Sequence, residues 1–168
     1  MLGQVTKMDI SPGLATIIGA VIAAAAAVAV AMINRGKKAR KLLEKTQGKI
    51  NKPTTGQSVP CAITCEGEAS AGNAEGEITF FLAIETTGLI WPKDAMVIPD
   101  DSGHWAATIC QEGYPGTLSV SLWAASPQGA KEVQAWFDRG RATNDYPGLS
   151  MLSGARRVAA VSGLKLQT

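Results

Sequence analysis

Residues 77 to 85 read EITFFLAIE, and this stretch decides the fold class. Ile78, Phe80, Leu82 and Ile84 fall two apart, so they share one face of an extended chain, the period of a strand with one buried side. The same texture continues in both directions. Upstream, Val59 to Cys65 (VPCAITC) is a candidate first strand. Downstream, Leu89 to Ile98 (LIWPKDAMVI) is interrupted by Pro92, which a central strand does not accept without a bulge. Asp100-Asp101-Ser102-Gly103 turns the chain into His104 to Cys110 (HWAATIC), where Trp105, Ala107 and Ile109 face together. Thr117 to Ala124 (TLSVSLWA) turns Leu118, Val120 and Leu122 inward and Ser119, Ser121 and Trp123 outward. These segments read as half-buried strands, each with one wet face.

One helix interrupts the series. Ser126 is placed as an N-cap and Pro127 as the first helical residue, and Gly140 after Arg139 is placed as a C-terminal stop. Ala130, Val133, Trp136 and Phe137 form its apolar stripe, narrow enough for a helix laid across a sheet. Tyr146-Pro147-Gly148 turns the chain again, and Arg157 to Leu166 (RVAAVSGLKL) ends it as a last strand. The expected fold is mainly β: a small antiparallel β-sandwich, or a barrel, with one amphipathic helix before the final strand.

Residues 59–168 make up this domain, and the chain before it has a different character. After a short tail, 1–13, Leu14 to Ile33 (LATIIGAVIAAAAAVAVAMI) runs for twenty residues without a charge. A helix of that length spans about 30 Å, the thickness of a bilayer's hydrocarbon core. Ala29-Val30-Ala31 satisfies a small-x-small cleavage rule, so a secretory signal is the rival reading. The apolar region is long for a signal, only Lys7 precedes it as a basic residue, and the dense positive charge follows it. Arg35, Lys37, Lys38, Arg40 and Lys41 therefore read as membrane-flanking residues, and their asymmetry assigns the C-terminal domain to the cytoplasmic side. Neither a lipobox nor a prenylation signal is present. Gly19, Ala23, Ala27 and Ala31 line one face of the span, a pattern that lets a second helix approach, although any alanine-rich helix satisfies it. Residues 34–46 are expected as a basic juxtamembrane helix and 47–58, with Gly48, Pro53 and Gly56, as a linker.

Net charge is +2 over 168 residues, but unevenly spread: residues 34–52 carry eight Lys and Arg against one Glu, and residues 53–168 carry seven against twelve acidic residues. A basic run beside an apolar span is a topology signal with anionic headgroups as its nearest partner, which argues against nucleic-acid binding.

GLIWPK at 88–93, SGHW at 102–105, TLSVSL at 117–122 and GLKL at 163–166, with an amphipathic helix between the last two, resemble the immunoglobulin-like sandwich domains tethered to membranes in bacterial signalling and anti-phage defence proteins. The resemblance covers roughly residues 60–167. It implies a sensing or interaction module without catalysis of its own.

Chemistry-bearing residues are sparse. Cys61 and Cys65 lie roughly 13 Å apart on an extended strand, too far for a disulfide; in a reducing compartment they and Cys110 read as small buried hydrophobes. His104 with Asp100, Asp101 and Ser102 lacks a complete triad and reads as a solvated turn. Glu66, Glu68, Glu75 and Glu77 frame a Gly-rich loop without the order of a calcium loop, and no glycine run is followed by Gly-Lys-Ser/Thr. No catalytic residue, metal site or cofactor is assigned. The aromatics offer more. Trp123 falls on the polar register of its strand, and a ligand or partner groove between it and Trp136, flanked by Arg139 and Arg141, stands beside the plainer reading of core packing. The expected function is a single-pass, membrane-anchored sensing or interaction module that binds a partner or ligand, with self-association through the span. An outward-facing envelope domain that binds a cell-surface polymer or protein is the second reading, and a membrane-tethered enzyme the third.

Overall fold

The computed structural model describes residues 36–72 and 77–167. The tail, the span with Gly19, Ala23, Ala27 and Ala31, and Arg35 lie outside the described residues. Among the described residues no helix is long and apolar enough to cross a membrane. One compact unit extends over Ala39–Thr168.

This unit is mainly β, with two sheets around a common core. Residues 36–45 are helical (α1). The strands are β1 (Gln47–Lys52), β2 (Ser58–Val59), β3 (Ala62–Ser70), β4 (Thr79–Thr86), β5 (Leu89–Val97), β6 (His104–Cys110), β7 (Thr117–Ala125) and β8 (Ala155–Leu166), with α2 (Pro127–Thr143) before the last. Strand order is β1-β3-β6 in one sheet and β2-β8-β7-β4-β5 in the other. Among the described residues only β2, short and paired in parallel with β8, departs from antiparallel pairing. Ile63, Cys65, Trp105 and Ile109 of the small sheet meet Leu82, Leu118, Val120, Leu122 and Leu164 of the large one, the arrangement of a β-sandwich.

The first half of the expected linker, 47–52, is a strand. Gly48 and Ile50 point inward while Lys49 and Asn51 stay exposed. A Cβ on Gly48 would lie 2.8 Å from Leu122 and from Val158, so a residue that reads as a flexible linker in sequence is the small inward residue of a strand packed hard against the other sheet. The basic helix also joins the domain, because Leu43 is buried in the sandwich core. Thr46 is fully buried; its hydroxyl donates to the Leu42 carbonyl at 3.0 Å, and its own carbonyl accepts from the Arg156 guanidinium. The chain thus passes from α1 into β1 within one residue, and the compact unit begins well before residue 59. Lys37, Lys38, Arg40 and Lys41 remain exposed. The strand expected at 59–65 divides into β2 and β3, and β3 runs on through Glu66 and Glu68, which meet Lys52 and Asn51 instead of framing a loop.

β5 continues through Pro92 because it is an edge strand with a bulge. Phe81 pairs with Met96 and Ala83 with Pro92, so extra residues around Lys93 to Ala95 loop out of register. β4 and β7 have no wet face. Phe80, Leu82 and Ile84 enter the sandwich core as their alternation predicts, whereas Phe81 and Ala83 are buried beneath α2 with Ala125 and Val133. A short helix laid over the outer face covers the register that alternation assigns to water.

α2 begins as expected. Ser126 Oγ accepts from the Gly129 amide at 3.2 Å. It does not stop at Gly140; it runs to Thr143 and closes with Asn144 in the left-handed region, φ 53°. Gly140 serves a close approach instead, since a Cβ there would sit 2.2 Å from the Tyr146 ring.

Candidate functional site

The bulged β5, the β6–β7 connection and the C-terminal half of α2 surround a cavity of about 580 Å³. Its walls are aromatic. Trp91 comes from β5, opposite Ile84; Tyr114 from the β6–β7 connection; Trp136 and Phe137 from α2; and Tyr146 from the turn after it. Lys93, Asp94 and Arg141 supply charge at the same cavity. The lining is predominantly apolar with a few polar groups, and the cavity is only partly enclosed.

The aromatic walls are held from behind. Trp136 lies edge-on to Phe137 (5.0 Å between centroids, 73°) and to Tyr146 (5.4 Å, 62°), and its Nε1 donates to the Pro147 carbonyl at 2.9 Å. Gly148 lies against Trp91, where a Cβ would come within 2.6 Å of the indole. Thr86 Oγ1 donates to the Tyr114 hydroxyl. Tyr146-Pro147-Gly148 is therefore a strap that fixes two rings at once.

The charges are positioned by the fold. Lys93 donates to the Cys110 carbonyl at 2.9 Å and to Gln111 Oε1 at 2.8 Å, and burial pushes its ammonium below the usual lysine range, partly offset by the neighbouring Cys110 thiol. Arg141 reaches Asp138 at 2.7 Å and Asp94 at 3.7 Å. Hydrogen bonds from Arg141 and then Gln134 hold the Asp138 carboxyl below its ordinary range, and the same contact raises Arg141. Beyond the bulge a smaller groove of about 350 Å³ continues along α2, sharing Lys93, Asp94 and Phe137 with the cavity.

Of the four residues expected at a groove, the structure brings Trp136 and Arg141 to the cavity and leaves Trp123 and Arg139 away from it. Trp123 stacks on Phe81 (6.4 Å, 17°) in the layer between sheet and helix, and its Nε1 donates to Ser121 Oγ at 2.8 Å. The fully buried Ser121 in turn donates to the Ala83 carbonyl. A polar-register serine thus receives the tryptophan that follows it by two. Arg139 is exposed on α2. Trp91 and Tyr114 stand out in the sequence among the aromatics of the domain, but nothing there places them at this cavity, and nothing places Lys93 there either; the visible signal was Pro92, whose bulge re-aims the residues beside it.

The remaining chemistry-bearing residues stay separate. Asp100 accepts from Ser102 N, Ser102 Oγ and the His104 amide, which holds its carboxyl low, the Ser102 hydroxyl contributing most. His104 hydrogen-bonds it through its backbone amide, and the charge of the imidazole adds a smaller contribution in the same direction. All three cysteines are free, yet only Cys65 is buried, which corrects the expectation of three buried thiols: Cys61 lies just before β3 and Cys110 ends β6, both exposed. Among the described residues no three His, Cys, Asp or Glu side chains are gathered in a way that could hold a metal ion. No protein-family model and no curated protein sequence matches the chain. What the geometry defines is a β-sandwich with an aromatic cavity under the end of its single crossing helix.

Proposed function

We propose that this chain is a single-pass, membrane-anchored binding module that receives an apolar or aromatic group of a protein partner, or a small ligand of that character, in the cavity between β5 and α2. The aromatic cavity, with its strapped walls, is the observation that supports this reading. Aromatic rings held by packing need no ordering when a partner arrives, which lowers the entropic cost of binding. Lys93, Asp94 and Arg141 set the polarity of the mouth and favour partners that carry both signs of charge near the apolar group. The apolar stretch 14–33 supplies the anchor and the basic residues after it the orientation, with the domain in the cytoplasm. Membership among immunoglobulin-like signalling or defence modules is part of the same proposal and rests on the resemblance alone. Self-association through Gly19, Ala23, Ala27 and Ala31 belongs to it as well.

Two measurements test this reading. A photocrosslinker in place of Trp91, in intact cells, is expected to give a discrete adduct that the same group in place of the exposed Lys165 does not; identical patterns at both positions would refute the cavity as the binding site. Cys61 and Cys110 are expected to resist a membrane-impermeant thiol reagent until the cells are opened. Ready labelling from outside would instead support the envelope reading.

A further inference from the structure

The large sheet carries a lateral row in which Val97 pairs with Phe80, Phe80 with Ala124, and Ala124 with Arg156. Arg156 donates to the carbonyl of Thr46, the residue through which the chain enters the sandwich from α1. With strands about 4.8 Å apart, Val97 lies roughly 14 Å across the sheet from Arg156. β4 begins at this end with Thr79 and finishes at the other with Thr86, which lines the aromatic cavity. The domain therefore has an entry end and a distal, cavity-bearing end.

Among the described residues three large apolar side chains stand out as exposed, Met96, Ile98 and Met151, and the first two lie together at the entry end. Met96 is 69% exposed and Ile98 is 74% exposed; Met96 lies near the end of edge strand β5, Ile98 directly follows the strand, and both border one cleft. Nothing in the sandwich covers them, and Lys131 of α2 borders the groove beside Met96.

The length of chain before the domain says what lies near. The uncharged stretch ends at Ile33, and residues 36–45 are helical at about 1.5 Å per residue, so Thr46 cannot stand more than about 25 Å from the end of that stretch. We propose that the Met96–Ile98 edge is a membrane-contact tip that enters the interfacial region of the bilayer in which the chain is anchored. The inference rests on the reading of residues 14–33 as the anchor. Apolar burial drives the contact, because the neighbouring charges do not favour an anionic surface: Asp100 and the exposed Asp101 follow Pro99 directly. The consequence is orientation, since a domain held at its entry end presents the aromatic cavity away from the membrane.

The test uses the full chain reconstituted in vesicles. Cys61 and Cys110 are changed to Ser, Cys65 is buried, and Ile98→Cys is labelled with an environment-sensitive fluorophore; Glu112→Cys, on the distal β6–β7 connection, is the reference. Brominated lipids are expected to quench the label at 98 at least threefold more than the label at 112, equally in neutral vesicles and in vesicles containing phosphatidylglycerol. Equal quenching at the two positions overturns the proposal, and so does quenching at 98 that requires the anionic lipid. An Ile98→Cys chain that resists quenching and forms a disulfide-linked dimer in the membrane overturns it in favour of a contact between copies. Extraction of the chain by an alkaline carbonate wash identifies failure of the anchor itself, a separate result that removes both readings.

Discussion

Replacing Trp123 with Ala separates packing from recognition, because this residue has the polar register of a surface contact and the surroundings of a core. The indole is partly buried, stacked on Phe81, with its Nε1 on Ser121. A tryptophan offers roughly 150–250 Å² for burial; about 100 Å² lost at ~25 cal/mol per Å² is about 2.5 kcal/mol. The buried Ser121 hydroxyl loses its donor, which adds about 1 kcal/mol. A total of about 3.5 kcal/mol, with a urea dependence of about 1.5–2 kcal/mol per M for a domain of this size, moves the unfolding midpoint down by roughly 1.8–2.3 M. Trp123→Phe keeps the ring stack and loses only the hydrogen bond, so its expected shift is about 0.5 M. Near-UV circular dichroism of the full chain in detergent reads both. A Trp123→Ala midpoint within about 0.3 M of the parent would show that this side chain does not hold α2 to the sheet, and the packing argument for that layer would fall.

Gly140→Ala reverses the usual helix preference. Alanine gains about 1 kcal/mol of helix propensity, but its methyl would lie 2.2 Å from the Tyr146 ring, and overpacking of that kind costs about 1–3 kcal/mol. Thermal melts are expected to show net destabilisation and photocrosslinking from position 91 to weaken; a stabilised variant would mean that the strap yields freely. Thiol chemistry gives the third prediction. Burial pushes the Cys65 thiol up to about 12 from its ordinary 9.0, so two thiols per chain label at pH 8 in the native state and the third only after denaturation. The sign follows from linkage: the unfolded thiol ionises near pH 9 while the folded one does not, so this contribution to stability is complete below pH 9 and is lost as the pH rises toward about 12. Three thiols labelling together in the native state would place Cys65 at the surface.

Alternation and punctuation made most of the β elements legible. Phe80, Leu82 and Ile84, then Trp105 and Ile109, then Leu118, Val120 and Leu122 all face the core that their period of two assigned them. Ser126 capped the helix for the chemical reason visible in the sequence. Legibility failed where one residue type serves two purposes. Gly48 and Gly140 signal flexibility or termination in a linear reading, yet both are close-approach positions whose need depends on Leu122, Val158 and Tyr146, residues far away in the chain or folded back upon it.

By itself the sequence determined a β-rich domain with one capped helix, because strand period and N-cap chemistry are local and repeat within a few residues. Tertiary structure alone decided that the outer face of β4 would be dry, that the basic helix would contribute Leu43 to the core, and that Trp91, Tyr114, Trp136 and Tyr146 would line one cavity. The physical reason is that which sheet face α2 covers, and where the bulge at Lys93 to Ala95 directs its neighbours, depend on pairings between residues tens of positions apart, which no local periodicity encodes.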